Sequence, residues 1–208
     1  DPKTGTLPRG NIKVSREDWL LAAVRFLVEQ GIENVRILTL AQELDVSRSS
    51  FYWYFRDRDD LLDALLEHWR LTNTRAILEQ AGKPAATVAQ AVMNVFDCWR
   101  DSRLFDPQLD FAVREWGRRS PGICAAVMQA DADRIEALTA MFARYGDPAQ
   151  VAIVRARTVY FSQIGYFALQ VEEPEAERYQ LLGEHVFLHA GVWPTEAEIA
   201  DFVKRKPG

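Results

Sequence analysis

At 208 residues the chain is long enough for one large or two small domains, and an apolar share of 48% is ample for a packed core. Its formal charge of -5 argues against long-range steering onto a polyanion, so any nucleic-acid contact has to come from local placement of cations. The best candidate for a membrane span, 151–171, holds Arg155, Arg157 and Gln163, which excludes it, and the start lacks the apolar segment a signal peptide needs. Cys98 and Cys124 stand far apart with no CxxC partner, as expected of two buried thiols in a reducing cytoplasm.

Residues 1–14, with two prolines and two glycines, read as a flexible arm. It is either an unstructured terminus or, through Lys3, Arg9 and Lys13, a basic arm for the minor groove of DNA. Ser15 then caps a helix with Glu17 and Asp18 in its first turn; Leu20, Leu21, Val24, Leu27 and Val28 follow at helical spacing, and Gly31 stops it.

The stretch 38–61, LTLAQELDVSRSSFYWYFRDRDDL, is the most informative part of the chain. Leu40, Ala41 and Leu44 share one helical face, and Asp45-Val46-Ser47 follows at once, with a serine hydroxyl placed to cap a second helix. Phe51 and Phe55, four residues apart, pack back on the first helix. The opposite flank carries Arg48, Ser49, Tyr52 and Trp53, a surface suited to a DNA groove, while Arg36, Arg48, Arg56 and Arg58 supply local positive charge.

These residues resemble the helix-turn-helix of the TetR family of transcriptional repressors, through Leu40, Ala41, Leu44, Val46, Ser47, Phe51, Tyr52, Phe55 and Leu61, over about one quarter of the chain. Four positions depart from the family pattern. Asp45 stands for the turn glycine, Tyr54 for a histidine, Arg58 for a lysine and Arg36 for a small hydroxyl residue. The resemblance implies DNA contacts from Arg36, Thr39, Ser47, Arg48, Ser49, Ser50, Tyr52, Trp53, Tyr54 and Arg58. In that set Arg48 and Ser50 lie nearest the base edges, Trp53 meets a thymine methyl or sugar edge, and Ser47, Tyr52, Tyr54 and Arg58 hold the phosphate backbone.

Beyond the motif, Asp57 caps a helix whose Leu61, Leu62, Leu65, Leu66 and Trp69 form a broad apolar stripe, joining head to body as a natural lever; Gly82-Lys83-Pro84 interrupts the chain after it. From residue 84 onward the periodicity is helical throughout. The spacing predicts helices over 87–99, about 108–116, from Ser120-Pro121 to 145, from Pro148 to 171 after the stop and cap Gly146-Asp147, from 175 to 192, and a last one behind the capping box Thr195–Glu198. The helix from Pro148 is apolar on two sides. Val151, Val154, Thr158, Phe161, Gly165 and Ala168 form one stripe, and Ile153, Tyr160, Ile164, Phe167 and Val171 the other, so one side needs a second copy of the chain to cover it.

The expectation is an all-α protein with a three-helix head (15–57) and a larger helical regulatory and dimerisation body (58–208). The corresponding function is a cytoplasmic, ligand-responsive repressor that binds a palindromic double-stranded operator as a homodimer. A protein-interaction adaptor and, less favoured, an all-helical enzyme are the alternatives. The pocket for a small apolar or aromatic effector is expected from Trp99, Phe105, Phe111, Trp116, Met128, Tyr160 and Gln163. The dimer face is expected from Val154, Thr158, Phe161, Gly165, Ala168, Leu182, Val186 and His189. No cofactor or catalytic residue is expected. His185 and His189 have zinc-ligand spacing, but Val186 stands where an HExxH helix needs glutamate, so no metal is expected.

Overall fold

The computed structural model describes residues 14–205, and every regular element among them is helical. The expected arm therefore lies outside the described residues except for Val14. The chain divides into two compact units, 1–65 and 66–208.

The first unit is built from α1 (Arg16–Gln30), α2 (Ile37–Glu43), α3 (Arg48–Phe51) and the start of α4 (Arg58–Trp69). A reciprocal capping box between Ser15 and Asp18 opens α1, and Gly31, at φ 80°, closes it. The buried face of α1 differs from the expected stripe: Trp19, Ala22, Ala23, Phe26 and Leu27 are inside, whereas Leu21 is exposed. The helix has two apolar faces, and the one with the aromatic residues wins because its Trp19 ring meets Phe51 edge-on at 5.3 Å. Asp57 caps α4, its Oδ1 accepting from the Asp60 amide at 2.9 Å.

The second unit holds the end of α4 and the helices α5 (Arg75–Gly82), α6 (Val88–Arg100), α7 (Pro107–Gly117), α8 (Pro121–Arg144), α9 (Ala149–Ala168), α10 (Glu175–Gln180), α11 (Leu182–Ala190) and α12 (Glu196–Lys204). A π-helical turn over Arg70–Thr74 separates α4 from α5, and no residue pattern announced it. Most boundaries obey their local chemistry. Thr87 and Asp106 cap α6 and α7, Pro107 occupies the first turn of α7, and Thr195 with Glu198 boxes α12. Two caps differ from expectation: Ser120 makes no side-chain cap bond, and Asp147 instead pairs with Arg155 at 3.0 Å, leaving Pro148 at the cap position of α9. The helix expected over 175–192 is broken at Leu181 and ends at Gly191, which takes the left-handed conformation at φ 73°.

The core of this unit runs through α5, α6, α8, α9, α11 and α12, with Ile77, Val92, Leu138, Phe142 and Val186 among its buried members. Small residues Ala152 and Ala156, with Val159, form the buried face of α9, and α8 packs along it. Cys98 is buried as expected, and burial pushes its thiol up to about 12; Cys124 is exposed, contrary to expectation, because it lies on the outer side of α8.

Candidate nucleic-acid interface and body cavity

The turn between α2 and α3 is a left-handed helix stop. Asp45 takes φ 53°, the Val46 amide donates to the Ala41 carbonyl at 3.0 Å, and the Asp45 amide donates to Gln42 at 3.2 Å. Both bonds recover carbonyls that α2 would otherwise leave open. Aspartate is able to sit where glycine is easier because its short side chain tolerates the left-handed region.

α3 is a single turn, and backbone bonds from Tyr54 and Phe55 to the Phe51 carbonyl carry the coil on to Phe55. Phe51 and Phe55 are buried and stacked at 5.4 Å. Arg16 lies over the Phe55 ring at 4.6 Å. With the inner side fixed in this way, the outer side is forced to solvent, and Trp53 is 75% exposed and Tyr52 49%. Arg48, exposed, reaches back to the Tyr52 hydroxyl at 3.3 Å. Ser47 starts α3 by its backbone alone, since its hydroxyl is hydrogen-bonded to the Ser49 hydroxyl at 2.9 Å rather than capping an amide, and the Ser50 hydroxyl donates to the Ser47 carbonyl.

The remaining expected contacts divide by their existing bonds. Arg36 is exposed at the start of α2, donating through Nε to the Glu33 carbonyl, and Thr39 is half-buried one turn on. Tyr54 is half-buried and donates to the Val14 carbonyl at 2.6 Å. Arg58 is half-buried too, its Nε and Nη2 engaged by the carbonyls of Val35 and Ile32 at 2.6 and 2.8 Å. These two tie the head together from within, which leaves Ser47, Arg48, Ser49, Tyr52 and Trp53 as the group that is both exposed and contiguous on one flank.

In the second unit a cavity of about 390 Å³ opens between α6, α9, α10, α11 and α12. Of the residues expected to line a pocket, Trp99 and Gln163 are in its wall; the other five lie elsewhere. Phe105 is buried and stacked on Phe167, Tyr160 is buried in a polar network, Phe111 and Trp116 are half-buried on α7, and Met128 is exposed on α8. The wall also has residues that were not expected in a pocket, among them Phe96, Tyr166, Tyr179, His185 and Phe202. His189, expected on the dimer face, is in the wall as well; burial and the neighbouring His185 push its pKa down to about 4. Among the described residues no group of His, Cys, Asp and Glu is arranged to hold a metal ion.

The expected dimer face divides in two. Val154, Thr158, Phe161 and Ala168 are exposed on α9, and a Cβ added at Gly165 would meet nothing within 4 Å. Leu182 and Val186, by contrast, are buried in their own unit, because α11 turns that side inward and presents Leu188 outward instead.

Residues 20–65 match the family model described as bacterial regulatory proteins, tetR family. The HTH-type transcriptional repressor Rv1353c of Mycobacterium tuberculosis is 37% identical over 59 residues, 28% of this chain and 22% of that protein. The chain thus spans about a fifth of the length of that curated relative. Salmonella enterica GusR superposes with a TM-score of 0.62 at 18% identity, over 85% of this chain and 95% of the other. Mycobacterium smegmatis AmtR gives 0.60 at 20%, over 97% and 100%. Both structural likenesses establish a shared fold.

Proposed function

We propose that the chain, a TetR-family protein by its amino-terminal head, is a DNA-binding transcriptional regulator acting as a repressor. It grips a palindromic operator in the cytoplasm as a homodimer and releases it when a small molecule fills the body cavity. The observation that carries this reading is the outer flank of α3, where an arginine, two serine hydroxyls and two large rings stand exposed against a buried phenylalanine pair. Phosphate contacts from such a flank fix register, and side chains at base edges give sequence preference. The exposed stripe Val154, Phe161 and Ala168 on α9 supports a second copy as the partner, since an apolar strip of this kind is otherwise left to water. In the dimer the two recognition turns are expected about 34–36 Å apart, one helical repeat of DNA. Effector and operator then oppose one another reciprocally.

Titration of the chain against duplex DNA at two salt concentrations tests the reading. A regulator loses affinity steeply as salt rises, because each phosphate contact releases counterions. A flat salt response, or no retention of any duplex at low salt, overturns it.

A further inference from the structure

We infer that the body cavity takes an uncharged aromatic molecule of one or two rings bearing a hydroxyl, carbonyl or amide group. The inference rests on the effector site proposed above and deepens it. Its argument is a comparison between the charged and the neutral side chains of the wall.

Three of the charged groups, Arg100, Glu173 and Glu175, are already engaged within the chain. Arg100 donates through Nε to Asp97 at 2.9 Å, bonds the Arg205 carbonyl and the Tyr179 hydroxyl, and lies 3.9 Å over the Phe202 ring. Glu173 accepts the hydroxyl of Tyr166 at 2.9 Å, and Glu175 that of Tyr179. Burial, together with these carboxylates, raises the pKa of both tyrosines, so the phenol protons stay in place. Arg178 is exposed, where water and salt screen it, and the two exposed glutamates line the same cavity. A carboxylate or an ammonium entering the cavity would lose hydration and find no buried counter-ion, since Arg178 is water-screened beside two glutamates and Arg100 is already paired, and burying an unpaired charge is costly.

The neutral polar groups are in the opposite condition. Gln163, half-buried, has no side-chain hydrogen bond to any described residue, nor has Ser162 at the exposed edge, and the Nδ1 of His189 is buried without a partner. His189 is neutral at physiological pH, so its two nitrogens are one donor and one acceptor. Trp99, Phe96 and Phe202 give the wall aromatic faces, and Phe96 already meets the His189 ring edge-on at 5.9 Å. Flat apolar walls with a few idle neutral hydrogen-bonding groups fit a flat, uncharged, hydrogen-bonding guest. A volume of about 390 Å³ sets the size limit.

Isothermal titration of the full chain with four probes of one ring system tests this: naphthalen-2-ol, naphthalene, naphthalene-2-carboxylate and (naphthalen-2-yl)trimethylammonium. The naphthol should bind at least about tenfold more tightly than either ion, and about fivefold more tightly than naphthalene, the increment of one neutral hydrogen bond. In the double variant Gln163→Leu, His189→Phe the hydroxyl increment should vanish while naphthalene still binds. An ion that binds as well as the naphthol, a hydroxyl increment that survives in the double variant, or no binding of any probe overturns the inference. The charge selectivity is read on the unaltered chain, so it does not depend on how the variant folds. DNA retention is measured on the same preparations. If it is lost while naphthol selectivity holds, the regulator reading fails alone; if DNA binding holds without selectivity, the ligand class fails alone.

Discussion

The indole of Trp69 donates its N–H to Oδ1 of Asp110 at 2.8 Å, and both side chains are sealed from solvent. The same carboxylate takes Arg134, itself fully buried, at 3.0 Å and Arg114 at 2.8 Å. Arg134 also donates to Thr74 and to the Tyr160 hydroxyl, which in turn donates to Asp131 at 2.6 Å. Asn73 exchanges bonds with the backbone of Asp106. The π-helical turn is therefore moored by two of its five residues to the start of α7 and to the middle of α8. Burial alone would push the Asp110 carboxyl up, but Arg134 and Arg114 outweigh it and hold the group below the ordinary carboxylate range.

Removing one partner from such a cluster strands the others. Asp110→Ala leaves two guanidinium groups without their shared anion, and it should cost about 3 to 5 kcal/mol in chemical denaturation. A loss below about 1 kcal/mol would mean that water or rearrangement compensates the arginines.

Arg48→Ala, on the exposed flank of α3, should weaken operator binding by about 1 to 3 kcal/mol and relax preference at one base pair. Arg58→Ala should instead lower the melting temperature of the head, since Arg58 donates to the carbonyls of Val35 and Ile32. Binding assays over a randomised operator, run beside thermal melts, separate the two; exchange of these outcomes would reverse the roles assigned to the two arginines.

Asp45→Gly should stabilise the first unit by about 0.5 to 1 kcal/mol, because glycine occupies the left-handed region without the steric cost an L side chain meets. Thermal melting of the two proteins decides it. A fall in stability would show that the Asp45 carboxylate does more in the turn than tolerate its angle.

His189 makes stability depend on acidity in a defined window. Its folded pKa of about 4 is below its ordinary 6.5, so the unfolded chain takes up the proton first as pH falls. This contribution is whole above about 6.5, shrinks between there and about 4, and amounts to roughly 2 kcal/mol after allowance for partial exposure. Denaturation at pH 7 and pH 5 should show the decline in the parent and a flatter profile in His189→Phe.

Phe161→Glu places a carboxylate on the most apolar part of the open α9 stripe, where Phe161 is 56% exposed. Sedimentation should then find monomers where the parent gives dimers, with helix content unchanged by circular dichroism. An undisturbed dimer would move the interface to another face.

Local chemistry was the legible part of this chain. Ser15 with Asp18, Asp57, and Thr195 with Glu198 each mark a helix start by hydrogen bonds that span three residues or fewer, and Asp45 announced a left-handed turn where it stands. The polar cluster was hidden because Asp110 and Arg114, four apart on α7, look like an ordinary surface pair. One signal was available: Arg134 falls on the same stripe as Val127, Ala130, Leu138 and Met141, where a lone charge implies a buried partner. The cavity wall was less accessible still. It draws side chains from five helices between Phe96 and Phe202, and no periodicity within one helix reports which distant faces converge. Leu182 and Val186 were misplaced for a related reason, since α11 is apolar on both sides and only tertiary packing decides which side closes.

Trp53, three quarters exposed, gives the head an optical gauge of its own. An indole so placed emits at long wavelength, as does the exposed Trp193 of the second unit, whereas the sealed Trp19 and Trp69 emit further to the blue. Contact with stacked bases should quench the Trp53 share of the red component, and in a Trp193→Phe background occupancy of the recognition surface can be followed without attaching any dye to the chain.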